Sequence, residues 1–185
     1  MKPKIKRYSR PIGNYDPVYV GIDQSYSGFA ITFLDCEGDY YTTVAKFEGS
    51  GVKRLADIQK HLISQFDGEY PYEYADVAME GYAFGSQMAN MLGELGGMVK
   101  LTIHDRYKIQ PLVVPPTSLK KFVTGKGTGV KKNQMLLSVY KKWGVEFDDD
   151  NAADSYALAR IAAGHFSLEY EKEVYEKLQD PKHRA

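Results

Sequence analysis

Four aspartates around the start of one helix are the residues of this sequence best suited to chemistry. The stretch FDDDNAADSYALARIAAG, residues 147–164, places Asp148, Asp149 and Asp150 at the mouth of an alanine-rich helix and Asp154 one turn inside it. Aspartate is a poor residue for a helix interior, and clustered carboxylates repel one another unless a positive charge lies between them. Asp150 and Asp154 are four residues apart, which puts them on one helix face. The spacing therefore predicts a bound cation.

Two further acids end short apolar runs elsewhere in the chain. Asp23 follows VYVGI, and Glu80 follows DVAM. One such acid is often only a turn former or a helix cap, but two at poorly solvated positions favour a site. Carboxylates from separate elements suit Mg2+, which keeps waters and binds phosphate as well. Two such ions about 3.5–4 Å apart would activate a water and stabilise the leaving oxygen of a phosphodiester.

The elements that must position these acids form an α/β pattern. DPVYVGIDQSYSGFAITFLDCEGDYYTTVAKF predicts three antiparallel strands, because short apolar and β-branched runs are broken by turns. A helix with Leu55, Ile58, Leu62 and Phe66 in register follows, then a buried strand ending near Glu80. A long helix, a strand in KIQPLVVPP and four more helices complete the chain. This order predicts a mixed five-stranded sheet with helices on its faces.

Composition limits the classes of protein that this chain can be. Its 185 residues suit one domain, and 24 basic against 24 acidic residues give no net charge, so a polyanion partner needs a local basic patch. The single cysteine, Cys36, excludes an intramolecular disulfide and a cysteine-rich zinc site. No apolar run approaches the roughly 18 residues that a membrane span needs. We expect a cytoplasmic protein that does not bind membranes.

Basic residues dominate the N-terminal segment. Five of them precede the first acid of the chain: Lys2, Lys4, Lys6, Arg7 and Arg10. We expect residues 1–16 to form a basic arm, either on a phosphate backbone or as a disordered terminus. The α/β domain is then expected over residues 17–166, and a charged C-terminal helix or tail over residues 167–185.

Four stretches of the chain resemble the signature regions of a known family. VGIDQSYSGFAI, MEGYAFGSQMANMLGELGG, PPTSLKKFVTGKGTGVKK and NAADSYALA resemble, in order and spacing, RuvC-type Holliday junction resolvases, a branch of the ribonuclease H-like superfamily. The resemblance implies a ribonuclease H-like fold and a homodimer that binds a four-way DNA junction in recombination and repair. It also implies paired symmetric nicks made with Mg2+, for which Mn2+ can substitute.

The resemblance assigns metal ligands residue by residue. Asp23 matches the ligand of the first strand, Glu80 the ligand that ends the fourth strand, and Asp154 the last helix ligand. The chain departs from the bacterial pattern at Asn151, where that pattern has an aspartate three residues before the last ligand. The resemblance then makes Asp150 the substitute, as in phage-like and mitochondrial-like branches. The source could be a phage, a bacterium or an organelle, and the lack of a transit signal favours the first two, so we expect the protein in a bacterial cytoplasm or a phage-infected host.

The resemblance also assigns DNA contacts. Lys120 and Lys131 match the basic positions that face the scissile phosphate, where a fixed cation would neutralise charge on the phosphoryl oxygens. Lys126 and Lys132 are expected to touch the DNA backbone. Two aromatic residues, Tyr82 and Phe84, match a wedge that stacks on an unpaired base, with packing in the core as the competing interpretation.

Other functions stay open at the level of sequence. The same acids would serve a ribonuclease H-like nuclease that cuts RNA–DNA hybrids or other branched DNA. If Asp150 does not replace the ligand expected at Asn151, the chain would be a junction-binding protein without catalysis. An actin-like ATP-binding module shares the GID turn, but such proteins need two lobes and a much longer chain.

Overall fold

The central feature of the fold is a six-stranded mixed sheet covered by helices on both faces. The computed structural model describes residues 3–10, 12, 17–26, 28–68, 73–81 and 89–185. In chain order the elements are β1 (Lys4–Arg10), β2 (Val18–Asp23), β3 (Phe29–Leu34), β4 (Tyr40–Lys46), α1 (Gly51–Phe66), β5 (Tyr74–Glu80), α2 (Ala89–Tyr107), β6 (Leu112–Val114), α3 (Pro116–Thr124), α4 (Lys132–Trp143), α5 (Asp150–Ala162) and α6 (Glu169–Leu178).

The strands lie in the order β1-β4-β3-β2-β5-β6. β2, β3 and β4 form the antiparallel meander that the sequence predicts. β5 and β6 then add in parallel to β2, which lies near the centre of the sheet. Because β2 and β5 are parallel neighbours, their carboxyl ends meet at one edge of the sheet, and Asp23 and Glu80 end there.

The sheet has one strand more than the five expected. Lys4–Arg10 pairs antiparallel with β4, from Lys4 opposite Lys46 to Arg10 opposite Tyr40. This part of the segment expected as a basic arm is therefore an edge strand. Ile5 packs against the core on one face of the sheet and Tyr8 against the core on the other. The surrounding basic residues hid these two apolar contacts in the sequence.

Helix α5 lies directly on the strands that carry the acids. A Cβ atom at Gly21 of β2 would lie 2.0 Å from the backbone oxygen of Ser155, so only glycine allows this approach. Buried hydroxyls then tie α5 to the sheet, with 2.8 Å between the Oγ atoms of Thr32 and Ser155 and 2.7 Å between those of Thr32 and Thr42. The position of Asp154, next to Ser155, is fixed by this packing.

The C-terminal helix is part of the core on the α5 face of the sheet. α6 buries Val174 and Leu178, and Arg184 beyond it forms an ion pair with Asp76 of β5 at 2.6 Å. Helices α1 and α2 pack on the opposite face, around Ile58, Leu62, Leu95 and Val99. No helix among the described residues combines the length and the apolar character that crossing a bilayer requires.

Candidate active site

Asp23 and Glu80 lie side by side at the sheet edge. The register pairs Ile22 with Met79, so the residues that follow them, Asp23 and Glu80, end adjacent strands. Asp23 is only 4% exposed. Each strand is apolar up to its acid, so the fold carries both carboxylates to the boundary between the core and the solvent.

The N-terminal end of α5 brings two more acids to this edge. Asp149 is the N-cap residue, and its side chain accepts a hydrogen bond from the backbone N–H of Asn151. Asp150 is therefore the first helical residue, and Asp154 lies one turn further along the helix. Because Asp149 caps the helix, the Asp150 carboxylate is not used as a cap, and Asp150 lines the cleft.

These acids line one open cleft of about 360 Å³. Four of its eleven lining residues are acids and one is a lysine. The lining residues are Asp23, Gln24, Ser25, Tyr26, Glu80, Gly81, Leu92, Lys132, Asp150, Asn151 and Asp154. The structure thus brings together all four acids that the sequence selected.

Burial and mutual repulsion raise the pKa values of three cleft acids. The pKa of Asp23 is raised well above its ordinary value by burial first and then by the charges of Glu80, Asp154 and Asp150. Burial also raises the pKa of Glu80 to about 7, against the opposing charge of Lys120. The pKa of Asp154 is raised to about 8 by burial, Glu80 and Asp150. The carboxylate charges in this cleft are thus incompletely compensated.

The donor atoms of the cleft suit a hard divalent cation, although their side chains do not form a complete metal-binding site. Asp154 Oδ1 is buried without a hydrogen-bond partner among the described residues. Carboxylate oxygens from three separate elements are the ligands that Mg2+ prefers. Within the described part of the chain, however, no three Asp, Glu, His or Cys side chains already converge as a metal-binding group. Cation binding would therefore draw these side chains together and relieve their repulsion.

Two lysines place positive charge beside the acids. Lys132 forms an ion pair with Asp150, and its charge also opposes the raised pKa of Asp154. Lys120 acts on both Glu80 and Asp154 in the same sense. Lys131 and Lys126, also selected from the sequence, are exposed and do not line the cleft. Lys132 therefore lines the cleft, whereas the resemblance assigned Lys131 to the position that faces the scissile phosphate.

Gln24 is a cleft residue that the sequence pattern did not reveal. Its Nε2 atom donates a hydrogen bond to the backbone oxygen of Glu80 at 2.7 Å, which ties the ends of β2 and β5 together. Its Oε1 atom lies against α2, where a Cβ atom at Gly96 would come within 2.7 Å of it. The sequence shows Gly96, but it does not show that Gly96 packs against Gln24.

The two aromatic residues that the resemblance assigns to a base-stacking wedge, Tyr82 and Phe84, lie outside the described residues.

A larger hollow of about 470 Å³ lies at the opposite ends of β2 and β5, and its lining includes Phe66, Asp67, Tyr74 and Tyr107. Asp67, one of its acids, is already bound by Arg106 at 2.6 Å and by the Tyr107 hydroxyl at 2.8 Å. Asp67 therefore differs from Asp23, Glu80 and Asp154, whose charges are incompletely compensated.

Comparisons with known proteins identify the fold. No protein-family model and no curated protein matches the chain. A Thermus thermophilus RuvC structure matches with a TM-score of 0.62 and 18% identity, over 91% of this chain and 98% of that one. T. thermophilus RuvC in complex with a Holliday junction substrate matches with a TM-score of 0.62 and 19% identity, over 77% and 90%. The chain thus has the ribonuclease H-like fold of RuvC, as the sequence predicts.

Proposed function

We propose that this protein is a divalent-cation-dependent endonuclease that resolves four-way DNA junctions. The observation that carries the proposal is that Asp23, Glu80, Asp150 and Asp154 line one cleft, with raised pKa values for three of them. Perturbed acids in a cleft are typical of catalytic sites. The similarity to RuvC, which has been solved in complex with a Holliday junction substrate, supports a four-way junction as the substrate.

The four acids would hold Mg2+, or Mn2+ in its place. Such an ion supplies a more acidic bound water and a positive charge for the phosphate oxygens. Asp23, Glu80 and Asp154 are held by the ends of two strands and by α5, so their backbone positions are fixed before any cation binds. Asp150 would exchange its ion pair with Lys132 for the cation.

Lys120 and Lys132 would act on the phosphate. Both already oppose the negative charge of Asp154. If the charges of the acids were balanced by a bound cation, these ammonium groups would be available to the phosphoryl oxygens, where charge would develop as the bond to the leaving oxygen breaks. Lys131, at the start of α4, and Lys126, in the loop before it, would contact the DNA backbone further from the reaction.

A lysine-rich segment next to the cleft supports DNA binding by a chain without net charge. Residues 106–145, which include α3 and α4, carry nine lysines and arginines and no acid. Four of the nine, Arg106, Lys121, Lys132 and Lys142, are paired with acids, and Lys120 and Lys132 place positive charge beside the cleft. A homodimer, with one cleft for each of two strands, would account for paired nicks, and α2 with its glycines is the proposed contact.

The test is a cleavage panel on synthetic DNA. A four-way junction, a linear duplex, a flap and an RNA–DNA hybrid are incubated with Mg2+ or with a chelator, using wild-type protein and Asp23→Asn. The proposal requires paired symmetric nicks on the junction, lost with the chelator and in the variant. Cutting chiefly of the hybrid or flap would replace the substrate, and tight junction binding without cleavage would leave a binding protein.

A further inference from the structure

One edge of the sheet, near the cleft, carries a pair of lysines. Neither the similarity to RuvC nor the proposed metal site gives these two lysines a role. Across the sheet, Asp23 is opposite Ala30, Ala30 is opposite Val44, and Val44 is opposite Lys6. The level of the cleft therefore continues over β3 and β4 to the edge strand β1. Lys4 and Lys46 form the last cross-strand pair of β1 and β4, two residues beyond that level in the direction of the cleft, and we call these two residues the basic edge.

The basic edge lies on the same face of the sheet as α5. Lys6 of β1 reaches Asp148, just before α5, at 2.5 Å. Side chains alternate along a strand, so Lys4 points to the same face as Lys6, and its cross-strand partner Lys46 does too. A Cβ atom at Gly28 would lie 2.8 Å from Asn151 Nδ2 and 3.3 Å from Val44 Cγ1, so the cleft wall reaches β4.

The two lysines of the basic edge have uncompensated charges. Both are exposed, and neither has an ion-pair partner in the part of the chain that the structure describes. Like charges directly opposite each other on neighbouring strands destabilise a sheet. Lys6 differs, because Asp148 neutralises it. Glu48 lies close in sequence to Lys46 but forms no ion pair with it among the described residues.

We propose that Lys4 and Lys46 bind the phosphate backbone of a DNA strand as it leaves the cleft. A phosphate between the two ammonium groups removes their repulsion, which an uncharged partner does not. From β2 to β1 is three strand spacings, or about 14 Å. That distance corresponds to about four nucleotides along one strand of a duplex. The basic edge therefore contacts an arm of the substrate, away from the scissile phosphate.

This inference rests on the proposed function, and its test separates the two. Binding of a four-way junction is measured with a chelator present, over a range of salt concentrations, for wild-type protein, for Lys4→Gln combined with Lys46→Gln, and for Lys60→Gln. Lys60 is an exposed lysine of α1, on the opposite face, and also lacks an ion pair among the described residues. Lys60→Gln removes one positive charge, half as many as the double variant, from a surface away from the cleft.

Loss of two phosphate contacts is expected to reduce the slope of log affinity against log salt by about 1.8, and affinity by about tenfold or more at low salt. Lys60→Gln is expected to leave the slope unchanged, and the double variant to cut at the same positions. An unchanged slope in the double variant overturns the inference alone. A changed oligomeric state with an unchanged slope also overturns it, in favour of a protein contact. Wild-type protein that binds no DNA overturns both the inference and the proposed function.

Discussion

Two carboxylates on the same face of the sheet, the buried Glu171 and the half-buried Asp154, lie in opposite electrostatic environments. Glu171 of α6 is 1% exposed, and its side chain accepts hydrogen bonds from Lys142 Nζ at 2.5 Å and from the backbone N–H groups of Ser167 and Leu168 at 2.8 and 3.0 Å. Burial alone would raise the pKa of Glu171, but these three bonds lower it. Asp154 has a pKa raised to about 8 and an oxygen without a partner among the described residues.

The difference shows that this fold supplies hydrogen-bond donors to a buried acid whose role is to hold helices together. Lys142 also donates to the backbone oxygen of Phe122 at 2.8 Å, so the Glu171 pair ties α3, α4 and α6 together. The cleft acids receive no such set of donors. Uncompensated charge of this kind lowers stability and is typical of sites whose missing partner is a ligand.

The largest effect is expected from Asp23→Asn, which tests whether the charge in the cleft serves catalysis. Junction cleavage should fall about a thousandfold, equivalent to about 4 kcal/mol of barrier. The thermal unfolding midpoint should rise at the same time, because burial and three neighbouring acids destabilise the Asp23 carboxylate. Asp57→Asn is the matched control, since Asp57 pairs with exposed Lys53 on α1. Equal losses of activity in Asp23→Asn and Asp57→Asn would contradict a specific role of the Asp23 charge in cleavage.

Glu171→Gln tests the acid of this comparison that has its full set of hydrogen-bond donors. Removing one partner of a buried ion pair leaves the other charge uncompensated, so the free energy of unfolding should fall by about 3 kcal/mol. Glu173→Gln on the same helix breaks the exposed Lys121 pair and should cost less than about 1 kcal/mol. Chemical denaturation measures both values. Similar costs for the two variants would mean that the Glu171 pair is not special.

His61 extends the comparison to a buried group outside the cleft that also lacks a hydrogen-bond partner among the described residues. Its Nε2 atom has no partner among the described residues, and burial and the charge of Arg7 lower its pKa to about 4. The folded pKa lies below the ordinary 6.5, so the stabilising contribution is present above the unfolded pKa and is lost as pH falls toward the folded one. Between about pH 7 and pH 5 the loss should be about 2 kcal/mol.

The measurement is unfolding at both pH values in wild-type protein and in His61→Leu, which should lack this loss. The cleft acids have the opposite sign, since the raised pKa values of Glu80 and Asp154 give stability that is lost as pH rises through about 7 to 8. They are common to both proteins and cancel in the difference. An identical pH dependence in the two proteins would contradict a buried neutral His61.

The smallest effect on stability is expected from Lys132→Gln, which removes the partner of Asp150, whereas cleavage should slow because this ammonium group is proposed to act on the phosphate. The lysine is well exposed, so stability should change by less than about 1 kcal/mol. Without the competing ammonium group, the Mg2+ concentration for half-maximal cleavage should fall about two- to fivefold. Lys141→Gln, at the far end of α4, is the control. A higher Mg2+ requirement in Lys132→Gln would mean that the lysine supports the cation and does not compete with it.

The sequence predicted the acids because residue type and position carry the relevant physics. A carboxylate at the end of an apolar strand, or one turn inside a helix, is conspicuous wherever it occurs. Asp23, Glu80, Asp150 and Asp154 were therefore found before their distances were known. The same reasoning gave the helices and five of the six strands, whose apolar periodicity is strong.

What the sequence could not give depends on contacts between distant segments. β1 was hidden because five basic residues outweighed Ile5 and Tyr8 in the composition of its segment. The bond between Gln24 and Glu80 joins residues 56 positions apart and has no local signal. The choice of Asp149 as the helix cap was undetermined among three consecutive aspartates, each of which is a good N-cap residue.

The central claim is that the cleft acids bind a divalent cation, and uptake of Mn2+ tests it most directly. Free Mn2+ is followed by electron paramagnetic resonance during titration of wild-type protein and Asp23→Asn, each with and without a four-way junction. The account predicts uptake by the wild-type protein, at least when DNA is bound, and a much weaker uptake by the variant. No uptake by the wild-type protein in either condition, or equal uptake by both proteins, would contradict it.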